Sequence, residues 1–187
     1  MRIIIRDRNE KFINCFHKYS YSKNLELQCD DIFANDDWEA VVSPANSFGF
    51  MNGGIDLVYV NKFGQQLEDR VRKDIADNWY GELLVGQATF VDCQPGMENI
   101  LIVAPTMRVP QRILDPVDVY LATKAAVRCA LEIQVDSLLM PGMGTGVGQV
   151  SFETASKNML IGIKDAIEGM SEYASCAMAH FDNEKFR

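Results

Sequence analysis

Histidine, basic charge and paired cysteines are what this chain is short of, and each shortage removes a class of function. Only His17 and His180 carry imidazole, and Cys15, Cys29, Cys93, Cys129 and Cys176 are odd in number and scattered, with no C-x-x-C. That pattern argues against a zinc site and a secreted disulfide framework, and leaves reduced thiols in a cytoplasm-like compartment. Each cysteine reads as a core filler rather than a nucleophile. Lysine and arginine total 18 against 26 acids, a net charge of −8. Such an excess repels a long polyanion, so extended nucleic-acid binding is not expected. A nucleotide-sized anion, a modified end or a single modified base can still be held by local amides. Also lacking are an apolar run of membrane-spanning length and a signal-peptide core in the opening MRIIIRDRNEKF. No membrane association is therefore expected, and a soluble, cytoplasmic protein is. Internal repeats, low-complexity tracts and linkers are missing too.

What is present suits one core. At 187 residues with 48% hydrophobic side chains, the chain reads as a single domain over 1–187. Arg2-Ile3-Ile4-Ile5 predicts a strand, and Asp7 or Asn9 caps a helix with Phe12, Ile13 and Phe16 at helical spacing. Leu25 to Cys29 alternates as a strand. Helical faces follow at Val58, Tyr59 and Phe63, and, past Gly64, at Leu67, Val71 and Ile75. Gln87 to Cys93 and Asn99 to Ala104 read as strands around the turn Gln94-Pro95-Gly96. The second is apolar enough to be covered on both faces. A helix carrying Val117, Leu121, Ala125 and Leu131 leads to a strand at Ser137–Met140, and Ser151 caps a helix carrying Phe152, Ala155, Met159 and Ile163. Ser175 to Phe181 reads as a final strand. Strands alternating with helices imply an α/β class, a three-layer α/β/α sandwich around a mixed, mainly parallel sheet.

Two glycine loops carry the chemistry. Ala40-Val41-Val42 fills a buried strand that Ser43-Pro44 ends, and Asn46-Ser47-Phe48-Gly49 leads through Asn52-Gly53-Gly54 into a helix at Ile55-Asp56. Gly53-Gly54 either only turns the chain or brings backbone amides to an anion at a helix N-terminus. After Met140 the segment Pro141-Gly142-Met143-Gly144-Thr145-Gly146-Val147-Gly148 places glycine at every second position. A plain turn does not need that, whereas an amide-lined nest for phosphate does. The spacing is neither the dinucleotide fingerprint nor a P-loop, which needs a closing Lys and Ser/Thr. Arg108 and Arg112 lie in a proline-rich stretch and either meet a phosphate or shield an acidic surface.

VVSPANSFGFMNGGID resembles the V-N-A-A-N loop and glycine turn of macrodomains, and PGMGTGVG resembles their phosphate-gripping loop. With Asp30-Asp31-Ile32 where that family has G-D-I, the resemblance runs in order from Leu25 to Phe181. It implies binding of ADP-ribose or an ADP-ribosylated substrate, without metal or cofactor. By the resemblance the Asp31 carboxylate accepts from the adenine amino group, the backbone amide of Ile32 meets a ring nitrogen, Phe181 stacks on the ring, and the diphosphate lies between Gly53, Gly54 and Ile55 and the run Gly144, Thr145, Gly146, Val147 and Gly148. Asn46, Phe48, Phe50 and Asp56 would lie near the distal ribose, with Asn46 bonding its hydroxyls and Phe50 against the sugar's apolar side, and Ala45 would be a further binding residue. Asp56 either acts on water at the anomeric carbon or merely occupies the first helical turn, where the macrodipole favours an acid. The implied activity is hydrolysis at the distal ribose, of a mono-ADP-ribosyl link or of ADP-ribose 1″-phosphate, with Asp56 and Asn46 as catalytic residues. A non-catalytic ADP-ribose reader is the alternative. This chain departs from the family at Ser43 and Pro44, at Asn52 where Gly is common, and at Val60 where one hydrolase branch has His. A second branch's Lys and Asp are missing from Ala104-Pro105-Thr106 and Gly146-Val147-Gly148.

Overall fold

The computed structural model describes residues 1–19, 24–170 and 172–187. Six strands form one sheet among them: β1 (Arg2–Arg6), β2 (Leu25–Gln28), β3 (Ala40–Ser43), β4 (Thr89–Asp92), β5 (Ile100–Val103) and β6 (Ser137–Met140), in the order β2-β1-β6-β3-β5-β4. Every ladder is parallel except that of the edge hairpin β4–β5, which Gln94-Pro95-Gly96 turns. The helices are α1 (Glu10–Phe16), α2 (Gly54–Phe63), α3 (Gln66–Asn78), α4 (Val117–Glu132), α5 (Phe152–Glu168) and α6 (Cys176–Asn183), closed by a 3-10 turn at Glu184–Phe186.

Alternation along the strands divides the apolar residues between two cores. Ile3, Ile5, Val42, Ile102, Leu138 and Met140 face α1, α4 and α5, through Phe12, Phe16, Ala126, Met159 and others. Ile4, Val41, Leu101, Val103 and Leu139 face α2 and α3, through Tyr59, Phe63, Leu67, Val71 and Ile75. The result is the expected α/β/α sandwich, in which each large buried side chain contributes about 1.5–3 kcal/mol. Among the described residues no helix is long and apolar enough to cross a membrane.

Two local details position the site. β3 pairs with β6 only at Ala40↔Leu138 and Val41↔Leu139, so the strands part at their carboxyl ends. The loop between β2 and β3 is fixed by Arg6, which is wholly buried. Its guanidinium donates to the carbonyl of Ile32 at 2.9 Å, to Asn35 Oδ1 at 2.6 Å and to Asp37 Oδ1 at 2.8 Å. At the other end of the chain one expectation is overturned. Ser175 to Phe181 is not a strand: Ser175 accepts from the Met178 amide as an N-cap, and α6 follows. Alanine and methionine between them favour helix.

Candidate functional site

The gap between the parting strands opens into a cleft of about 300 Å³. β6 leads to α5 on one face of the sheet and β3 leads to α2 on the other, so this is the point where the chain direction switches. Open α/β sheets bind ligands at such a point, outside the carboxyl ends of their strands.

One side is the N-terminus of α2. Its N-cap is Gly53, which has no side chain to close the helix, and the amides of Gly54, Ile55 and Asp56 donate to no group among the described residues. Uncapped amides and the helix dipole together attract an anion. The other side is the loop after β6. There the amides of Thr145, Gly146, Val147 and Gly148 are likewise without a protein acceptor among the described residues. α5 itself is closed by Ser151, which accepts from the Thr154 amide, so the loop and not that helix supplies the donors. Both sides line the same cleft.

The alternating glycines divide by cause. A β-carbon at Gly144 would stand 2.8 Å from Val119 Cγ2, and one at Gly148 2.6 Å from both the Gly144 carbonyl and Ile113 Cδ1. Packing beneath the loop therefore requires these two, and Gly144 also holds φ of +71°. Gly146 and Gly53 meet nothing within 4 Å and need no left-handed backbone. Those two are the glycines whose bareness faces the cleft.

Asp56 lies in the first turn of α2 and is buried, with 8% of its surface exposed. Ser43 Oγ donates to its Oδ1 at 2.6 Å. Burial raises the carboxyl to about 7; the Ser43 hydrogen bond opposes that rise, and Glu68 adds to it. Asn46 holds its own loop: its Oδ1 accepts from the amides of Phe48 and Phe50, and its Nδ2 donates to the Phe50 carbonyl at 2.8 Å. Phe50 lines the cleft with the Arg72 guanidinium 4.6 Å from its ring centre. Arg108 lies over Phe48 and bonds Glu82 at 2.6 Å, which is the surface role of the two left open for it.

The structure thus brings Ala45, Asn46, Phe50, Gly53, Gly54, Ile55 and Asp56 together with Gly144, Thr145, Gly146, Val147 and Gly148. It does not bring Asp31, Ile32 or Phe181 to the cleft lining. Asp31 accepts from the Phe33 amide, which together with Arg8 keeps its carboxyl below the usual range. The Ile32 side chain is buried in the α2–α3 core, while its backbone amide, the group the resemblance turns toward adenine, donates to no group among the described residues. Phe181, on α6, is 84% exposed and lines a separate shallow hollow with Tyr173 and Met178. Asp7, by contrast, does line the cleft. It sits just past β1, which pairs with β6, a neighbour that no local motif reveals.

Fold and cleft define a three-layer α/β protein with two amide-lined loops closing on one site at the sheet's switch point. The chain belongs to the macro domain family, whose model matches residues 42–159. A protein of Aeropyrum pernix is 34% identical over 113 residues, 60% of this chain, and the match spans only 57% of that relative's length. Among solved structures, the macrodomain of Mycobacterium tuberculosis DarG has a TM-score of 0.61 at 20% identity, over 79% of this chain and 90% of that one. A mutant Oceanobacillus iheyensis macrodomain solved with ADPR has a TM-score of 0.62 at 16% identity, over 71% of this chain and 73% of that one. At such identities the likeness establishes the fold.

Proposed function

We propose that the cleft binds ADP-ribose or an ADP-ribosyl group and that the protein hydrolyses a bond at the distal ribose. One observation carries the reading: amides of two glycine loops, at Gly54–Asp56 and Thr145–Gly148, with no acceptor among the described residues, line opposite sides of the same cleft. That arrangement suits a diphosphate held from both sides. The purine amino group is assigned to Asp7, the carboxylate at the β1 end of the cleft, rather than to Asp31. The ADPR named with the Oceanobacillus relative supports the same ligand class.

At the distal end Asp56 is the carboxylate available for chemistry. A water held by Asp56 forms the new bond to the anomeric carbon as the glycosidic carbon–oxygen bond breaks. The carboxylate takes the water's proton, and the leaving oxygen is protonated from solvent. A base with a pKa near 7 matches this task at neutral pH, since it is ionised in a useful fraction and still basic. A single sheet covered on both faces supports one domain over residues 1–187. A reducing, cytoplasmic setting fits the five free cysteines.

A non-catalytic reader is the second reading, favoured by Asn46. By resemblance this residue would hold the ribose, yet its carbonyl and one N–H are already committed to the loop backbone. Calorimetry with ADP-ribose, followed by turnover assays on mono-ADP-ribosylated protein, on mono-ADP-ribosylated nucleic acid and on ADP-ribose 1″-phosphate, separates the two. Turnover lost in Asp56→Ala with binding retained supports the hydrolase. Binding without turnover on any substrate supports the reader, and absence of binding overturns both.

A further inference from the structure

Ser43 closes β3 on the face that α2 covers, because it follows Val41 by two residues and Val41 belongs to that core. Its side chain is 1% exposed. From there its hydroxyl reaches Asp56 Oδ1 at 2.6 Å, a short contact of the kind an ionised acceptor makes. Oδ2 bonds no described residue and is not a buried unpaired atom, so it is the oxygen that meets the cleft.

The groups around this carboxylate otherwise favour its protonation. Burial and, from α3, Glu68 both act in that direction. Tyr59, along α2, donates its O–H to the Val42 carbonyl at 2.9 Å and is not free for Asp56. Across the cleft the charged neighbour, just past β1, is Asp7, another acid. Ser43 is thus the one side-chain donor to Asp56 among the described residues.

We propose that Ser43 is a positioning residue for Asp56: its hydroxyl fixes the carboxylate by one oxygen and favours the ionised form, so that the other oxygen faces the substrate as a base. The proposal rests on the catalytic reading of Asp56 given above. Its test follows the carboxyl group directly, by NMR titration of carbon-13-labelled aspartate, alongside the pH dependence of kcat/KM. In S43A the Asp56 midpoint should rise by about one pH unit, the size of a charge-assisted hydrogen bond, and the acidic limb of the rate profile should rise with it. S43T, which keeps a hydroxyl on the same backbone, should return both toward the wild-type value. An unmoved midpoint in S43A, or an equal rise in S43T, would overturn the proposal, because packing and not the hydroxyl would then set the midpoint. If the wild type turns over no substrate, the catalytic reading fails, and the titration still decides whether Ser43 holds the carboxylate.

Discussion

A methyl group on Gly142 would stand 3.0 Å from Asp7 Oδ2 and 2.7 Å from Thr145 Oγ1. The carboxylate just past β1 and the loop after β6 therefore lie close together, and Asp7 belongs to the cleft as directly as the loop does. If Asp7 reads the purine amino group, Asp7→Ala should weaken ADP-ribose binding about tenfold, the loss of one charge-assisted hydrogen bond. Asp31→Ala should change affinity less than about twofold, within the range of an exposed surface substitution. Calorimetry on the two variants decides, and the reverse ranking would return the role to Asp31.

Gly146 and Gly148 are neighbours with opposite reasons for being glycine. An alanine at 146 meets open space, so stability should hold within about 0.5 kcal/mol while the methyl obstructs the amide cradle and lowers ADP-ribose affinity by about tenfold. An alanine at 148 drives a methyl into the Gly144 carbonyl and Ile113. Overpacking of that kind should cost about 1–3 kcal/mol in urea denaturation. Equal effects of the two substitutions on stability would contradict the division.

Most of the sheet and both glycine loops were legible in the sequence because their signals are local. Apolar runs ended by proline or glycine mark strands, and Ser151 ahead of Phe152 marks a helix start. Asp7 was legible only as a cap, because its place depends on β1 lying beside β6, a pairing across more than a hundred residues. Asp31 shows the opposite case: its Asp-Ile neighbours match a motif that is local in the sequence, whereas the bonds its carboxylate makes to Arg8 and the Phe33 amide are visible only in the fold. Ser43 looked like a mere departure from the family loop, and its bond to Asp56 appears only once β3 and α2 are packed. The run from Ser175 to Phe181 is a helix and not the expected strand, since a short run of small and apolar residues suits either period.

Arg6 should be among the costliest single substitutions in the chain. Replacing it with methionine keeps an apolar stem but removes the donors to the Ile32 carbonyl, Asn35 and Asp37. Asp37 is 35% exposed and keeps Arg2, so the cost lies in the buried acceptors left unpaired, about 1–3 kcal/mol each. Urea unfolding should show that loss, and hydrogen exchange should show faster opening of 29–38 than of β3. A loss below about 1 kcal/mol would mean that the loop is held by other contacts.

Asp56 gives the protein a pH dependence that can be separated from that of its other acids. Its folded value of about 7 lies above its ordinary 3.8, with burial as the main cause. Between those values the folded chain keeps a proton that the unfolded chain has released, so this residue's contribution to stability falls as pH rises from about 4 to about 7 and is level above. Asp31 and Asp182, whose carboxyls are held low, act with the opposite sign at lower pH, so the informative quantity is the difference between variant and wild type. Asn at position 56 can accept from Ser43 and has no charge to bury. Asp56→Asn should therefore match the wild type at pH 4 and exceed it by about 1–3 kcal/mol at pH 8 in urea unfolding, less than the full pKa difference because Oδ2 meets the cleft. It should also lose turnover, since the amide cannot take a proton from water. A more stable but inactive variant is the signature of a group kept for chemistry at the expense of the fold. A variant with the wild-type pH slope would show that Asp56 is ionised throughout and not poised as a base near neutrality.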